Sequence, residues 1–451
     1  MTFPRRTLIS RRAALVGLLV LATVAGCGRS GDRRARGSGS GTGDPVAAKA
    51  DLKPDFPSET VAITPQPTGG DPKVIKIVSS LPRTGSAKGQ TDTIVNGIRM
   101  ALDEAGNKVG EFSLKYEDLD DATAADGKWT ADRERANADK AMNDPDVMVY
   151  IGPYNSGAAS VSIPITNRGR LLMISPACTG VGLTKKGGEP GEPQKYRPTG
   201  TLNFTRVVPA DDIQGPVGAE FAKSIGAKTV YVLDDNEVYG KGLATLFKDK
   251  AEEIGLKIVG KQESIDYKQS DFRTLMARIK NDHNPDVIYY GGTSQTGAGQ
   301  IAKDMVAQGL GNTTLIVPDG CYEAAFIQAA GANIFKTLKC YVTFGGVPPD
   351  KLEGKGKEFV EKYKAKYKTM PEGYAVYGYE AGKVALEAIK RAAKKDRAAI
   401  TDAALGLRDF EGGALGKWSF DHNGDTTSTT LSVSKVEDGD FKFVQLSGIN
   451  K

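Results

Sequence analysis

The chain has 451 residues, enough for two sizeable cores, and its 39% hydrophobic and 25% charged residues are the balance of an ordinary globular body. Its formal net charge is +5, yet Arg5, Arg6, Arg11 and Arg12 alone account for four positive charges, and without them 56 basic residues face 55 acidic ones. This near-neutral body lacks the clustered Lys and Arg excess of a nucleic-acid binder, and the charged runs at Lys351–Lys368 and Lys390–Arg397 have the spacing of solvated helix faces.

Residues 1–27 read as a lipoprotein signal peptide. The early arginines precede an uncharged apolar run from Ala13 to Ala25, too short to span a bilayer as a helix. Val24-Ala25-Gly26-Cys27 resembles the bacterial lipobox, in which small residues fit a peptidase slot and the thiol accepts a diacylglycerol. Cys27 is the expected lipidation site. Ser10–Leu15 also resembles a twin-arginine signal, with Ala14 where Phe is usual, so the export route stays open. Residues 28–72 are rich in Gly, Ser, Arg, Pro and Asp without apolar periodicity, and are expected to form a disordered tether.

From Val74 short apolar runs alternate with helical patterns. Strands are expected at Val74–Leu81, Phe112–Leu119, Val147–Gly152 and Leu171–Ser175, and helices at Thr91–Ala105, Lys128–Met142 and Ser156–Asn167. The pattern restarts after the polar loop Lys185–Pro198. Strands at Thr229–Leu233, Leu256–Val259, Val287–Gly291, Thr314–Pro318 and Leu338–Phe344 alternate with helices at Val238–Ile254, Phe272–Lys280 and Gln300–Gln308. Two further helices, around Lys355–Tyr367 and Tyr379–Ala392, lead to a β-rich tail, Leu431–Leu446. Continuous apolar strands separated by helices imply parallel sheets covered on both faces, here an α/β architecture built twice.

Beyond Cys27 there are three cysteines. Cys321 and Cys340 flank neighbouring strands and are expected to form a disulfide, leaving Cys178 free. No CxxC occurs, which removes the common zinc and thioredoxin-like patterns, and no cofactor or metal is expected. Catalytic signatures are missing too. The body has no GxxxxGK[ST], HExxH or GxSxG, and its two histidines, His283 and His422, sit in turns at the wrong end of the sheet or far from it. The chain therefore reads as a non-enzyme.

Open parallel sheets bind ligands beyond the carboxyl ends of their strands. In the first half this rule selects Leu81–Ser86, Gly152–Gly157 and Ser175–Thr179, rich in hydroxyls and free of acids. In the second it selects Asp234–Tyr239, Gly292–Gln295 and Asp319-Gly320. Ser156 and Gly157 open a helix directly after a strand, where N–H groups and a hydroxyl make a carboxylate receptor, although a plain N-cap serine has the same signature. Thr179 offers a hydroxyl and an N–H in a loop. Asp319 can pair an ammonium group, and Pro-Asp-Gly is also a common turn sequence.

The motifs at Tyr150–Ser156 (YIGPYNS), Leu171–Ala177 (LLMISPA), Asp211–Pro216, Tyr239–Leu243, Asp271–Leu275, Asp286–Gly292 and Pro318–Gly320 resemble, in order, the branched-chain amino acid periplasmic binding proteins. The resemblance covers most of Lys73–Leu446. It implies a type I periplasmic-binding-protein fold, or Venus flytrap: two α/β lobes, a three-strand hinge and a ligand in the cleft. Lobe 1 would be 73–207 and 345–426, lobe 2 would be 208–344 and 427–448, with crossings near Arg206–Pro209, Val342–Val347 and Gly424–Thr430. The family's carboxylate receptor maps onto Ser156, Ala177 and Thr179, its ammonium-binding acid onto Asp319, and a pocket tyrosine onto Tyr239. A second pocket tyrosine is replaced by Thr293. Arg83 and Lys88 stand in the first loop where an aromatic is commoner, and Asn155 occupies a position of the family's disulfide, so a polar, partly basic pocket is expected.

The resemblance thus implies the solute-capturing subunit of an ABC importer for an amino acid or related zwitterion or amide, lipid-anchored on the extracytoplasmic face of the cell membrane. Its expected partners are a small-molecule ligand, a permease and its ATPase subunit, and the membrane through the anchor, with no nucleic acid. The alternative is a ligand sensor or adaptor that signals to a separate membrane partner.

Overall fold

The computed structural model describes residues 54–447. The signal peptide, Cys27 and positions 28–53 of the expected tether lie outside the described residues. Strands whose side chains are buried on both faces are what the apolar runs demand, and Val147–Ile151 and Val287–Gly291 are buried at every position.

The first half gives β1 (Val74–Leu81), α1 (Lys88–Glu104), β2 (Lys108–Val109), β3 (Phe112–Asp120), α2 (Ala131–Asn143), β4 (Val147–Ile151), α3 (Ser156–Arg168), β5 (Leu172–Ser175) and β6 (Phe204–Arg206). These strands form a six-stranded sheet, β2-β3-β1-β4-β5-β6, parallel except for β2.

The second series is α4 (Asp211–Ser224), β7 (Thr229–Asp234), α5 (Val238–Glu253), β8 (Lys257–Ile258), β9 (Glu263–Ser264), α6 (Arg273–Asp282), β10 (Val287–Gly291), α7 (Ala298–Ala307), β11 (Thr314–Val317), α8 (Ala324–Ala330) and β12 (Cys340–Gly345). The chain then supplies α9 (Lys355–Tyr367), α10 (Ala375–Ala392) and α11 (Arg397–Leu405) before the hairpin β13 (Leu431–Glu437) and β14 (Asp440–Ser447). The second sheet runs β14-β13-β12-β11-β10-β7-β8, with β9 also on β7, and is parallel except for the antiparallel pairings β12–β13 and β13–β14. β14 is an edge strand and leaves Phe443, Val444 and Leu446 exposed.

Helices α9–α11 return to the first sheet. α10 lies on α1 at backbone contact distance, because a Cβ at Gly97 would stand 2.3 Å from the Ala375 carbonyl oxygen and one at Gly378 2.3 Å from that of Ile94. Glycine at these two positions brings the start of α10 to the edge of the cleft. Strand order reverses between β1 and β4 in one sheet and between β7 and β10 in the other, which marks the loops after those strands as ligand-facing.

Two expectations need correction. Residues 54–72 are not a loose tether but a strap on the first lobe: Val61 N–H donates to Pro198 O (2.8 Å), Thr64 N–H to Arg168 O (2.6 Å), and Arg197 Nη1 to Asp55 O (2.8 Å). Val61 and Ile63 stay exposed, so hydrogen bonds rather than apolar burial hold the strap, and hydrophobic periodicity could not have revealed it. Likewise Cys321 and Cys340 carry free thiols. Cys340 pairs with Leu315 at the start of β11, whereas Cys321 follows that strand's end and turns its Sγ toward Gly292 O (3.7 Å). Cys178 is also free and buried.

Candidate functional site

The loops after β4 and β5 form one wall. Ser156 is the first residue of α3, and its Oγ accepts the Gly180 N–H at 3.0 Å. Ser175 Oγ accepts the N–H groups of Ala177 (3.2 Å) and Cys178 (2.8 Å) and donates to Pro153 O (2.8 Å). The two loops are thereby stitched together. Behind them the fully buried Arg206 donates from Nη1 to Gly180 O (2.8 Å) and from Nε to Asp425 Oδ1 (2.7 Å), a charge-assisted brace on the loop that carries Thr179.

The opposite wall comes from the second sheet. Asp319, 1% exposed, follows β11. Its Oδ1 accepts the hydroxyl of Tyr239 on α5, and its Oδ2 accepts the hydroxyl of Tyr374 at the N-cap of α10. Gly320 N–H donates to the Tyr239 oxygen at 3.2 Å. Burial pushes the Asp319 carboxyl above its ordinary range, and the two phenol hydrogen bonds oppose that shift. Among the described residues no Lys or Arg forms an ion pair with it.

Ser156, Ala177, Tyr239, Thr293 and Asp319 line a single inner cavity together with Tyr154, Asn155, Gly320 and Tyr374. Thr179 is not on that wall. It sits one layer behind, 1% exposed, with its carbonyl accepting the Asp211 N–H at 3.0 Å. Asp211 is itself pushed up by burial and then by the Asp319 charge, while the nearby Thr179 hydroxyl opposes the shift. The inner cavity is about 20 Å³, room for about one water, so nothing as large as an amino acid fits while the walls stay together.

An outer chamber of about 10 Å³ adjoins it, sharing Asn155, Ser156, Tyr239 and Thr293 and adding Lys128, Trp129, Gly157, Asp235, Glu237, Gln295 and Thr296. At its mouth Lys128, from the loop after β3, forms an ion pair with Glu237 from the loop after β7, and its Nζ lies 3.8 Å from the Tyr267 ring centroid. A second tie crosses at the back, where Gln90 Nε2 donates to Tyr322 O (3.1 Å), while Gln90 Oε1 accepts the N–H of Tyr374 on its own lobe (3.2 Å).

The basic character expected from the first loop lies elsewhere. Arg83 is held by Asp118, Asp92 and Thr91, and Lys88 by Asp92, so neither lines the cavity; Lys128 is the cation at the cleft. Sequence reasoning also missed Tyr374. It stands at a helix start and not at a strand end, and its one signal is the glycine pair that presses α10 onto α1. Among the described residues no group of carboxylates, thiols or imidazoles could hold a metal ion, and no helix is long and apolar enough to cross a membrane.

Two α/β lobes closing a hydroxyl-lined wall onto a buried acid define a solute-binding protein of the type I periplasmic-binding-protein fold. The chain belongs to the periplasmic binding protein family, whose profile matches residues 74–440. It is similar to the Leu/Ile/Val-binding protein BraC3 of Rhizobium johnstonii, 28% identical over 368 residues that cover 79% of this chain and 90% of that one. It is also similar to the Leu/Ile/Val-binding protein homolog 2 of Brucella abortus, 30% identical over 373 residues covering 81% and 91%. Among solved structures, the leucine binding protein LivK of Thermotoga maritima superposes with a TM-score of 0.71 at 27% identity, over 82% of this chain and 98% of that one.

Proposed function

We propose that this chain is the extracytoplasmic solute-binding subunit of an ABC importer, not an enzyme, capturing an amino acid or related zwitterion between its lobes and delivering it to a membrane permease and its ATPase. One observation carries the reading: Asp319, buried and without an ion-pair partner among the described residues, lines one cavity with Ser156 and Ala177 of the other wall. A cation brought by the ligand supplies the missing charge, while its carboxylate meets the N–H and hydroxyl wall at the start of α3, with Thr179 behind. Tyr239 and Thr293 close the sides. Lobe 1 (73–207 and 345–426) and lobe 2 (208–344 and 427–448) move as bodies about the three crossings, and a ligand that touches both selects the closed form.

Calorimetric titration of ligand-free protein with a panel of amino acids, amides and small carboxylates tests this. Saturable heat from a zwitterion is expected, and silence from the whole panel with folded protein sinks the reading. Attachment through Cys27 belongs to the same proposal. Cys27→Ser moves the protein from the membrane fraction to the soluble extracytoplasmic fraction, and unchanged membrane association would exclude the anchor.

A further inference from the structure

The outer chamber bears on which zwitterion fits, an inference that rests on the proposed binding role. Each of its charged side chains already has an ion-pair or hydrogen-bond partner within the protein. Lys128 is paired with Glu237. Asp235, fully buried, accepts the Thr296 hydroxyl on Oδ2 (2.8 Å) and the Glu237 N–H on Oδ1 (3.0 Å). What remains unpartnered is neutral: Asn155 Oδ1, an acceptor, and Gln295 Nε2, a donor, both buried atoms of residues that line this chamber.

Asn155 and Gln295 come from opposite lobes, one before α3 and one after β10, so closure brings an orphaned acceptor and an orphaned donor to one space. Asn155 also lines the inner cavity, as do Ser156, Tyr239 and Thr293, and these four residues join the two spaces. A ligand whose carboxylate and ammonium are held in the inner cavity therefore extends its side chain into the outer one.

We infer that the side chain this protein selects is an uncharged group with both a hydrogen-bond donor and an acceptor, a carboxamide or ureido group, and not the branched aliphatic chain named for its relatives. An aliphatic tail leaves both amide groups buried and unpaired, at a cost on the order of tenfold in affinity for each. An anionic tail meets no free cation, because Lys128 is paired with Glu237, and a cationic tail meets only Asp235, whose two oxygens already accept the Thr296 hydroxyl and the Glu237 N–H. A primary carboxamide answers both orphans at once, its N–H donating to Asn155 Oδ1 and its C=O accepting from Gln295 Nε2.

The test is a calorimetric comparison on the full chain, freed of carried-over ligand by unfolding and refolding. The probes are L-glutamine, L-asparagine and L-citrulline against L-leucine, L-isoleucine, L-valine, L-glutamate and L-lysine. The expected result is at least a tenfold preference for an amide or ureido side chain. Gln295→Met, which keeps length and removes the donor, should reduce that preference about tenfold, and Asn155→Ser provides a second, smaller change on the other lobe. Equal or tighter binding of leucine overturns the inference and leaves the zwitterion reading intact. Silence from every probe overturns the binding reading itself, so the two failures are distinguishable.

Discussion

Tyr374, at the start of α10 on the first lobe, donates its hydroxyl to Asp319 Oδ2 on the second, so a phenol from one side caps the buried acid of the other. Its ring also packs edge-on against Tyr154 (5.8 Å between centroids) and Phe344 (5.5 Å), one from each lobe. Asp319→Asn keeps the shape and removes the charge, and calorimetry should show ligand binding weakened by about 2–5 kcal/mol, the cost of stripping the anion from a buried pair. Tyr374→Phe removes one hydrogen bond to a charged group and should cost less, about 1.5–3 kcal/mol. Wild-type affinity in Asp319→Asn would remove the acid from the site.

The Lys128–Glu237 pair spans the mouth with side chains 11% and 22% exposed, dry enough for an ion pair to exceed the usual surface value. Lys128→Met should raise the ligand's dissociation rate roughly 5- to 30-fold, equivalent to about 1–2 kcal/mol. Trp129 provides the signal: it lies against Gly157 in the cleft, while Trp418, the other tryptophan, is buried against Glu380. Stopped-flow fluorescence that shows an unchanged rate would reduce the pair to a bystander.

Glu134 on α2 is fully buried, accepting hydrogen bonds from Ser80 Oγ (2.6 Å) and Tyr150 Oη (2.9 Å), and burial pushes its carboxyl up to about 7. Asp121 beside it is also buried, with both oxygens unpartnered, and is pushed up by burial and then by the Glu134 charge. A carboxyl raised on folding stabilises the native state fully below its unfolded pKa and loses that contribution as pH rises through the folded value. The urea midpoint should therefore fall between pH 5 and pH 8, and Glu134→Gln should flatten the decline. Asp235, also raised to about 7 by burial, sustains part of the slope in the variant.

Cys178, Cys321 and Cys340 are fully buried, and burial pushes all three thiols up, away from the reactive thiolate. Native protein should resist iodoacetamide at all three. After denaturation without reductant each should alkylate fully, as peptide mass spectrometry can read, whereas an unmodified Cys321–Cys340 pair would restore the expected bridge.

How far the sequence carried depended on where each structural cause sits in the chain. Strands such as Val147–Ile151 announce themselves because burial on both faces requires an unbroken apolar run, and the strand-end rule then leads to Ser156, Tyr239 and Asp319. Tyr374 escapes that rule, since it stands at a helix start, whereas Lys128 obeys it, lying in the loop after β3, but is hidden by a helical pattern that starts there in the sequence although α2 begins only at Ala131. Helix α11 gives no clear apolar stripe either, its buried face being Arg397, Ile400, Thr401 and Ala404. The strap at 54–72 was misread because polar backbone hydrogen bonds to a distant surface leave no period in the sequence.

That strap makes the two halves mechanically unequal. Its hydrogen bonds to Pro198, Arg168 and Arg197 all fasten it to the lobe that carries Ser156. A pull on the strap therefore loads the lobe that carries Ser156 directly, and reaches the lobe bearing Tyr239 and Asp319 only through the contacts between the two.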